Sequence, residues 1–165
     1  MKKLLIASLL ALCCGSAFAA GGADKNAAKT APKAEAKAAA ASVNPAQMSL
    51  TKLKLGGKEL TLLIAETDEQ RAQGLMGIEK MEENNGMIFT YPAPVTKLCM
   101  WMKDTKIPLD VAFIDGNGKI VNIETMKPMT TDNHCNTGGP IFYALEMNAG
   151  WFAKNNVKPG DALSN

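Results

Sequence analysis

Residues 99–110 read C-M-W-M-K-D-T-K-I-P-L-D and gather several kinds of recognition chemistry in one short stretch. Trp101 offers an aromatic plate, Lys103 a cation, Thr105 a hydroxyl, and Asp110 an acid set among apolar neighbours. Apolar walls with a few convergent polar groups are what a small-ligand site requires. Arg71, on an expected helix, would add a planar donor fork suited to a carboxylate or phosphate. Arg71, Trp101, Lys103, Thr105 and Asp110 are therefore the candidate ligand-binding residues. The plainer alternative leaves Lys103 solvated and has Asp110 tie the P-L-D turn together through backbone N–H groups.

Catalytic chemistry has fewer candidates, and no catalytic residue is assigned. From residue 48 onward the only serines are Ser49 and Ser164, near the two ends, so a serine triad lacks a placed nucleophile. His134 precedes Cys135, but adjacent residues on an extended chain point apart, and oxidation would block the thiol. Asp110 and Glu146 both sit in apolar runs and could form an acid/base pair of the glycosidase type if they converge. The competing reading makes each a structural carboxylate bonded to nearby donors.

Methionine is abundant, ten in the chain, and Cys99, His134 and Cys135 add soft or borderline ligands. Such a set in an exported protein would suit Cu(I). No C-x-x-C, H-x-x-x-H or M-x-x-M-x-x-M run is present, however, and methionine is also an adaptable filler of small cores. No metal ligand and no cofactor are assigned. A Cu(I)-binding protein remains the first alternative and a cell-wall-active enzyme the second.

The elements that must position these residues begin well inside the chain. Met1–Lys3 is a short basic start, Leu4 to Cys14 an apolar run, and Ala17-Phe18-Ala19 a peptidase-type site. This is the pattern of a secretory signal over residues 1–19, with a run too short to span a bilayer. Leu10-Ala11-Leu12-Cys13 resembles a lipid-attachment box, but bulky Leu12 fits it poorly, and the mature chain is expected to start at Ala20 without lipid. Residues 20–47 are dominated by Ala and Lys, with almost no large apolar side chain to offset ordering entropy, and read as a disordered spacer. Residues 48–165 form a single domain.

Of 18 basic and 16 acidic residues, six lysines and two acids precede residue 48, which leaves the domain 12 against 14, a net −2. That balance, with no basic stripe among aromatics, argues against nucleic acid. Cys99 and Cys135 remain after loss of Cys13 and Cys14 with the signal. An even pair in an exported chain is expected to form a disulfide.

Within the domain, alternation in Leu50–Ala65 around Gly56-Gly57 predicts two short strands. Thr67 with Gln70 three residues on predicts a capped helix through Arg71, stopping near Gly74 or Gly77. Met87–Phe89 is a strand expected to end at Pro92 and Pro94. From Val95 a strand would alternate Lys97, Cys99, Trp101 and Lys103 on one face with Leu98, Met100 and Met102 on the other. Asp110–Ile114 and Lys119–Met126 form a hairpin about Asp115-Gly116-Asn117-Gly118. Further strand follows at Ile141–Met147, then a short helix over Trp151–Asn155. The fold class expected is mainly β, a small antiparallel sandwich or barrel with one or two short peripheral helices.

Three stretches carry a family resemblance: RAQGLMGIEKMEENNGMIF, WMKDTKIPLDVAFIDGNGKIVNIE and ALEMNAGWFAKNNVKPGD. They resemble, in the same order, the domain of unknown function 192 family. The resemblance covers nearly all of Leu60–Leu163. It implies a compact, mostly β, commonly exported fold and brings no settled reaction. The Asn of the family's usual K-N-T is Asp104 here.

Taken together, the sequence indicates an exported accessory protein, periplasmic or secreted, that binds a small ligand or an envelope partner. It is expected to bind no nucleic acid and to carry no integral membrane segment once mature.

Overall fold

The computed structural model describes residues 44–165. The expected signal (1–19) and the expected spacer up to residue 43 lie outside the described residues. At the spacer's far end Pro45–Gln47 forms a 3-10 turn capped by Asn44, whose side chain accepts from the Ala46 N–H at 3.0 Å. Regular structure thus reaches into the last residues assigned to the spacer, and Met48 is already buried.

Eight strands and two short helices follow: β1 (Leu50–Leu55), β2 (Lys58–Ala65), α1 (Asp68–Gln73), β3 (Asn85–Val95), β4 (Cys99–Met100), β5 (Leu109–Ile114), β6 (Ile120–Met126), β7 (His134–Cys135), β8 (Ile141–Asn148) and α2 (Trp151–Lys154). Six strands make one sheet in the order β1-β2-β3-β8-β5-β6, while β4 and β7 pair separately. The architecture is mainly β and sandwich-like, an open sheet rather than a closed barrel. Among the described residues no helix is long and apolar enough to cross a membrane.

Local signals shape the hairpins and the first helix. Gly56 and Gly57 both adopt positive φ, which a two-residue turn between β1 and β2 demands. Asp115 accepts from the N–H groups of Asn117 and Lys119, closing the turn between β5 and β6. Helix α1 opens on Thr67 with a complete capping box to Gln70 and ends at Gly74.

Three expectations need correction. The main sheet is mixed, because β2 and β3 pair in parallel. The connection between them carries α1 and returns the chain to the starting end of β2, as a parallel neighbour requires. Strand β3 does not stop at its prolines but continues to Val95. Its ladder to β8 jumps from Thr90 to Val95, so Pro92 and Pro94 sit where no ladder N–H is needed. Strand β4 spans only two residues: the Met102 N–H donates to the Thr130 carbonyl, and Asp104 turns the chain with a φ of 53°. The alternation of burial nevertheless holds through it. Leu98 and Met102 are buried and Met100 packs against the same core, while Lys97, Trp101 and Lys103 are exposed.

Each face of the main sheet carries its own core. One gathers Ala65, Met87, Phe89, Val111 and Phe113 under Leu75 beyond α1 and Leu98, Met102 and Ile107 around β4. The other packs Leu62, Ile88, Ala112, Leu145 and Met147 against Trp151, Phe152 and Val157. Gly86 is required where β3 meets β8 on this second face: a Cβ there would lie 2.6 Å from the Met147 sulfur and 2.4 Å from the Glu146 carbonyl oxygen.

Candidate functional site

A cavity of about 130 Å³ opens on the first face, between α1 with its continuation, β3, β4 and β8. Arg71, Met76, Phe89, Tyr91, Trp101 and Glu146 are among its lining residues, with Thr105, Met100 and Cys99 completing the wall nearest β4.

Arg71 reaches it from α1, with its side chain 15% exposed. One guanidinium nitrogen, Nη1, donates to the Glu66 carbonyl at 2.6 Å and to the Thr90 carbonyl at 2.8 Å. Nη2 pairs with the exposed Asp68 carboxylate, and the guanidinium lies 5.1 Å from the centre of the Tyr91 ring. Most of the fork is thus spent fixing α1 against β3. The Tyr91 hydroxyl is pushed up to about 12, first by burial, with Arg71 opposing and Glu146 adding to the rise.

Beyond β4, Cys99 and Cys135 face each other in register and are joined by a disulfide, with Cα atoms 4.0 Å apart. Trp101 stands at the rim, 51% exposed, whereas Thr105 is buried and its hydroxyl donates to the Lys103 carbonyl. The turn that holds Thr105 is conformationally demanding. Asp104 and Met129 both adopt positive φ, and the Met129 N–H donates to the Thr105 carbonyl. Asn and Asp tolerate this left-handed region better than other side chains. The position therefore accepts Asp104 where the family's usual motif carries Asn.

Glu146 forms the floor. The residue is 4% exposed, and its carboxyl group opens on the cavity. Burial alone pushes it up to about 8, so the acid holds its proton at neutral pH.

The candidate residues thus separate. Arg71, Trp101 and Thr105 line the cavity. Lys103 is exposed and lies outside that lining. Asp110 belongs to the opposite face. It pairs in register with Met147, while Val111 pairs with Glu146, so the two carboxylates point to opposite sides of the sheet and cannot act as an acid/base pair. Asp110 is occupied instead. Oδ1 accepts from the Thr125 hydroxyl and Oδ2 from the Gly150 N–H, both at 2.8 Å, and Gly150 is the N-cap of α2.

Sequence reasoning weighed Glu146 as a partner for Asp110 or as a bonded structural carboxylate, and it passed over Tyr91, Met76 and Met100 as lining residues. The available signal was an acid inside the apolar run I-F-Y-A-L-E-M-N. Of the methionines, Met87, Met102, Met126 and Met147 are fully buried in the two cores, and Met76 and Met100 reach the cavity. Among the described residues no three His, Cys, Asp or Glu side chains gather as a metal site would need.

The quoted motifs converge in space. The Gly77 N–H donates to the Asp104 carbonyl, and the Ala149 N–H to the Pro108 carbonyl. Residues 51–165 match the family model DUF192, Uncharacterized ACR. The chain belongs to the DUF192 family. Solved structures similar to it agree in fold. A Sinorhizobium meliloti protein, provisionally named a transcription regulator, is 34% identical with a TM-score of 0.67, covering 71% of this chain and 94% of its own. A Novosphingobium aromaticivorans protein of unknown function is 28% identical, also at 0.67, covering 74% and 91%. No curated protein matches the chain.

Proposed function

We propose that the DUF192 domain of this chain is a small-ligand-binding module whose site is the cavity over Glu146, and that it acts in the cell envelope. One observation carries the reading: the carboxyl group of a nearly buried residue, Glu146, opens into a formed cavity. A carboxyl group reached through a cavity can take its hydrogen-bond partner from a molecule that enters there. Aromatic and thioether side chains alternate in its walls with Arg71, Gln73, Thr105 and Glu146, and exposed Trp101 gives a small molecule a surface to meet on entry. Envelope location rests on the signal-like residues 1–19; recovery of the chain only from the cytoplasmic fraction, with an intact mass starting at Met1, would remove it.

The Sinorhizobium protein's provisional name suggests nucleic acid, but the −2 balance of residues 48–165 offers no electrostatic footprint for a phosphate backbone. Amide and indole NMR spectra of the protein, mixed with a small-molecule library, test the binding reading. Shifts should gather at Gln73, Met76, the Trp101 indole N–H and Thr105. Shifts gathering instead in the groove of Leu53, Ile64, Tyr143 and Leu163 on the other face would sink it.

A further inference from the structure

We infer that the cavity takes an alkylammonium group, with the Glu146 carboxylate as its partner; this rests on the cavity being the ligand site. Charge decides between ligand classes. Two ionised side chains meet at the cavity's α1 side, Arg71 and Asp68, and they answer each other. Glu146 is left over. Ionised and alone it would be a buried, unpaired charge, so without ligand it keeps its proton. A ligand that brings one positive charge and N–H donors replaces that proton and leaves the cavity's net charge unchanged.

A carboxylate or phosphate ligand would add an unanswered negative charge beside Glu146. Arg71 is poorly placed to offset it, since Nη1 already donates to the Glu66 and Thr90 carbonyls and Nη2 holds Asp68. The walls favour the same choice. Phe89 and rim Trp101 line the cavity beside Tyr91, whose ring already meets the Arg71 guanidinium, and aromatic rings attract cations. The volume of about 130 Å³ is close to that of a cavity that holds benzene, which admits an ammonium group on a short alkyl chain. That chain could be a free amine or the end of a lysine side chain, and the chemistry of recognition is the same.

Binding must then displace a proton. The groups facing Glu146 are Arg71 from α1 and Tyr91 from β3. β5 presents Val111, β4 presents Met100 and the disulfide-bonded Cys99, and Glu124 of β6 lies beyond Val111 in the same row. Glu146 loses its proton near pH 8, while an alkylammonium, like lysine, keeps its charge to about pH 10. Affinity for the amine should rise with pH, roughly 100-fold between about pH 6 and about pH 9, on simple proton competition.

The experiment is an NMR titration of the full chain with n-butylamine, n-butanol and butyrate at those two pH values, repeated for Glu146→Gln. Nα-acetyl-lysine amide runs alongside to separate a free amine from a lysine tip. Butylamine or the lysine derivative should shift the Trp101 indole and Thr105 amide signals, tightly at high pH and weakly at low pH. The Glu146→Gln variant should lose both the preference and the pH dependence. If it fails to fold, the wild-type pH profile decides alone. Equal or tighter binding of butanol or butyrate at the same signals overturns the ammonium inference and leaves the cavity as the ligand site. Shifts elsewhere, or none at either pH, overturn both.

Discussion

Asp110 and Glu146 stand on neighbouring strands in the middle of one sheet, both 4% exposed, and are treated in opposite ways by the fold. Asp110 faces α2, where the Gly150 N–H and the Thr125 hydroxyl occupy its two oxygens. It fastens β5, β6 and the entry to α2, which carries Trp151 and Phe152 into the second core. Glu146 faces α1 and β4 and meets a cavity. A buried carboxylate with its bonds made is architecture. One held protonated by burial works against stability as pH rises, and it is there that we propose a ligand binds.

The first effect should come from the cavity's wall. The disulfide closes a loop with a sequence separation of 36, and losing it should cost roughly 4 kcal/mol on chain-entropy reasoning. In Cys99→Ala/Cys135→Ala, denaturant unfolding should show that loss. Hydrogen exchange should speed up first in residues 98–108 and 127–136, while amides near Leu145 and Ala112 stay protected. Uniform acceleration across both faces would mean that the two sides are not independent.

Asp110→Asn comes next. Weakening its charge-assisted bonds should cost about 1.5–3 kcal/mol, read from thermal unfolding, with ligand-induced shifts at the cavity unchanged. Were stability untouched while cavity binding suffered, the roles assigned to the two carboxylates would have to be exchanged.

The third test reads a slope with pH rather than a single loss. Glu146 is raised from an ordinary 4.5 to about 8 in the folded protein. Between those values the unfolded chain is ionised there while the folded one keeps its proton. The associated stability is therefore full below the lower value and lost as pH climbs to the upper one. It should fall by ~1.4 kcal/mol per pH unit across that window and level off above it. The difference in unfolding free energy between wild type and Glu146→Gln isolates this contribution from the other titrating groups. A difference that stays constant from pH 5 to 8 would mean Glu146 is solvated or bonded.

How far the sequence reached depends on where the determinants lie. The Thr67–Gln70 capping box, the Gly56-Gly57 turn and the Asp115 turn were legible because every group involved lies within a few residues of its partner. The cysteine pair was legible for another reason: with two left in the domain there was only one way to join them. The candidate site was half legible. Arg71, Trp101 and Thr105 were named from residue type and line the cavity, while Lys103 and Asp110 were named on the same grounds and lie elsewhere. Residue type states what a side chain can do, but gives no direction for it to point.

Direction came from pairing. Which strand lies beside which, and in what register, is decided by contacts between residues far apart in the chain. Moving a strand by one position sends each of its side chains to the other face. The sequence by itself determined most strands of the main sheet, the caps, the turns, the staple and the membership of the DUF192 family. Only the tertiary structure made β2 and β3 parallel and let β3 run through its prolines. The same register of β8 against β5 turned Glu146 into the cavity and Asp110 toward α2, because Val111 rather than Asp110 stands opposite Glu146.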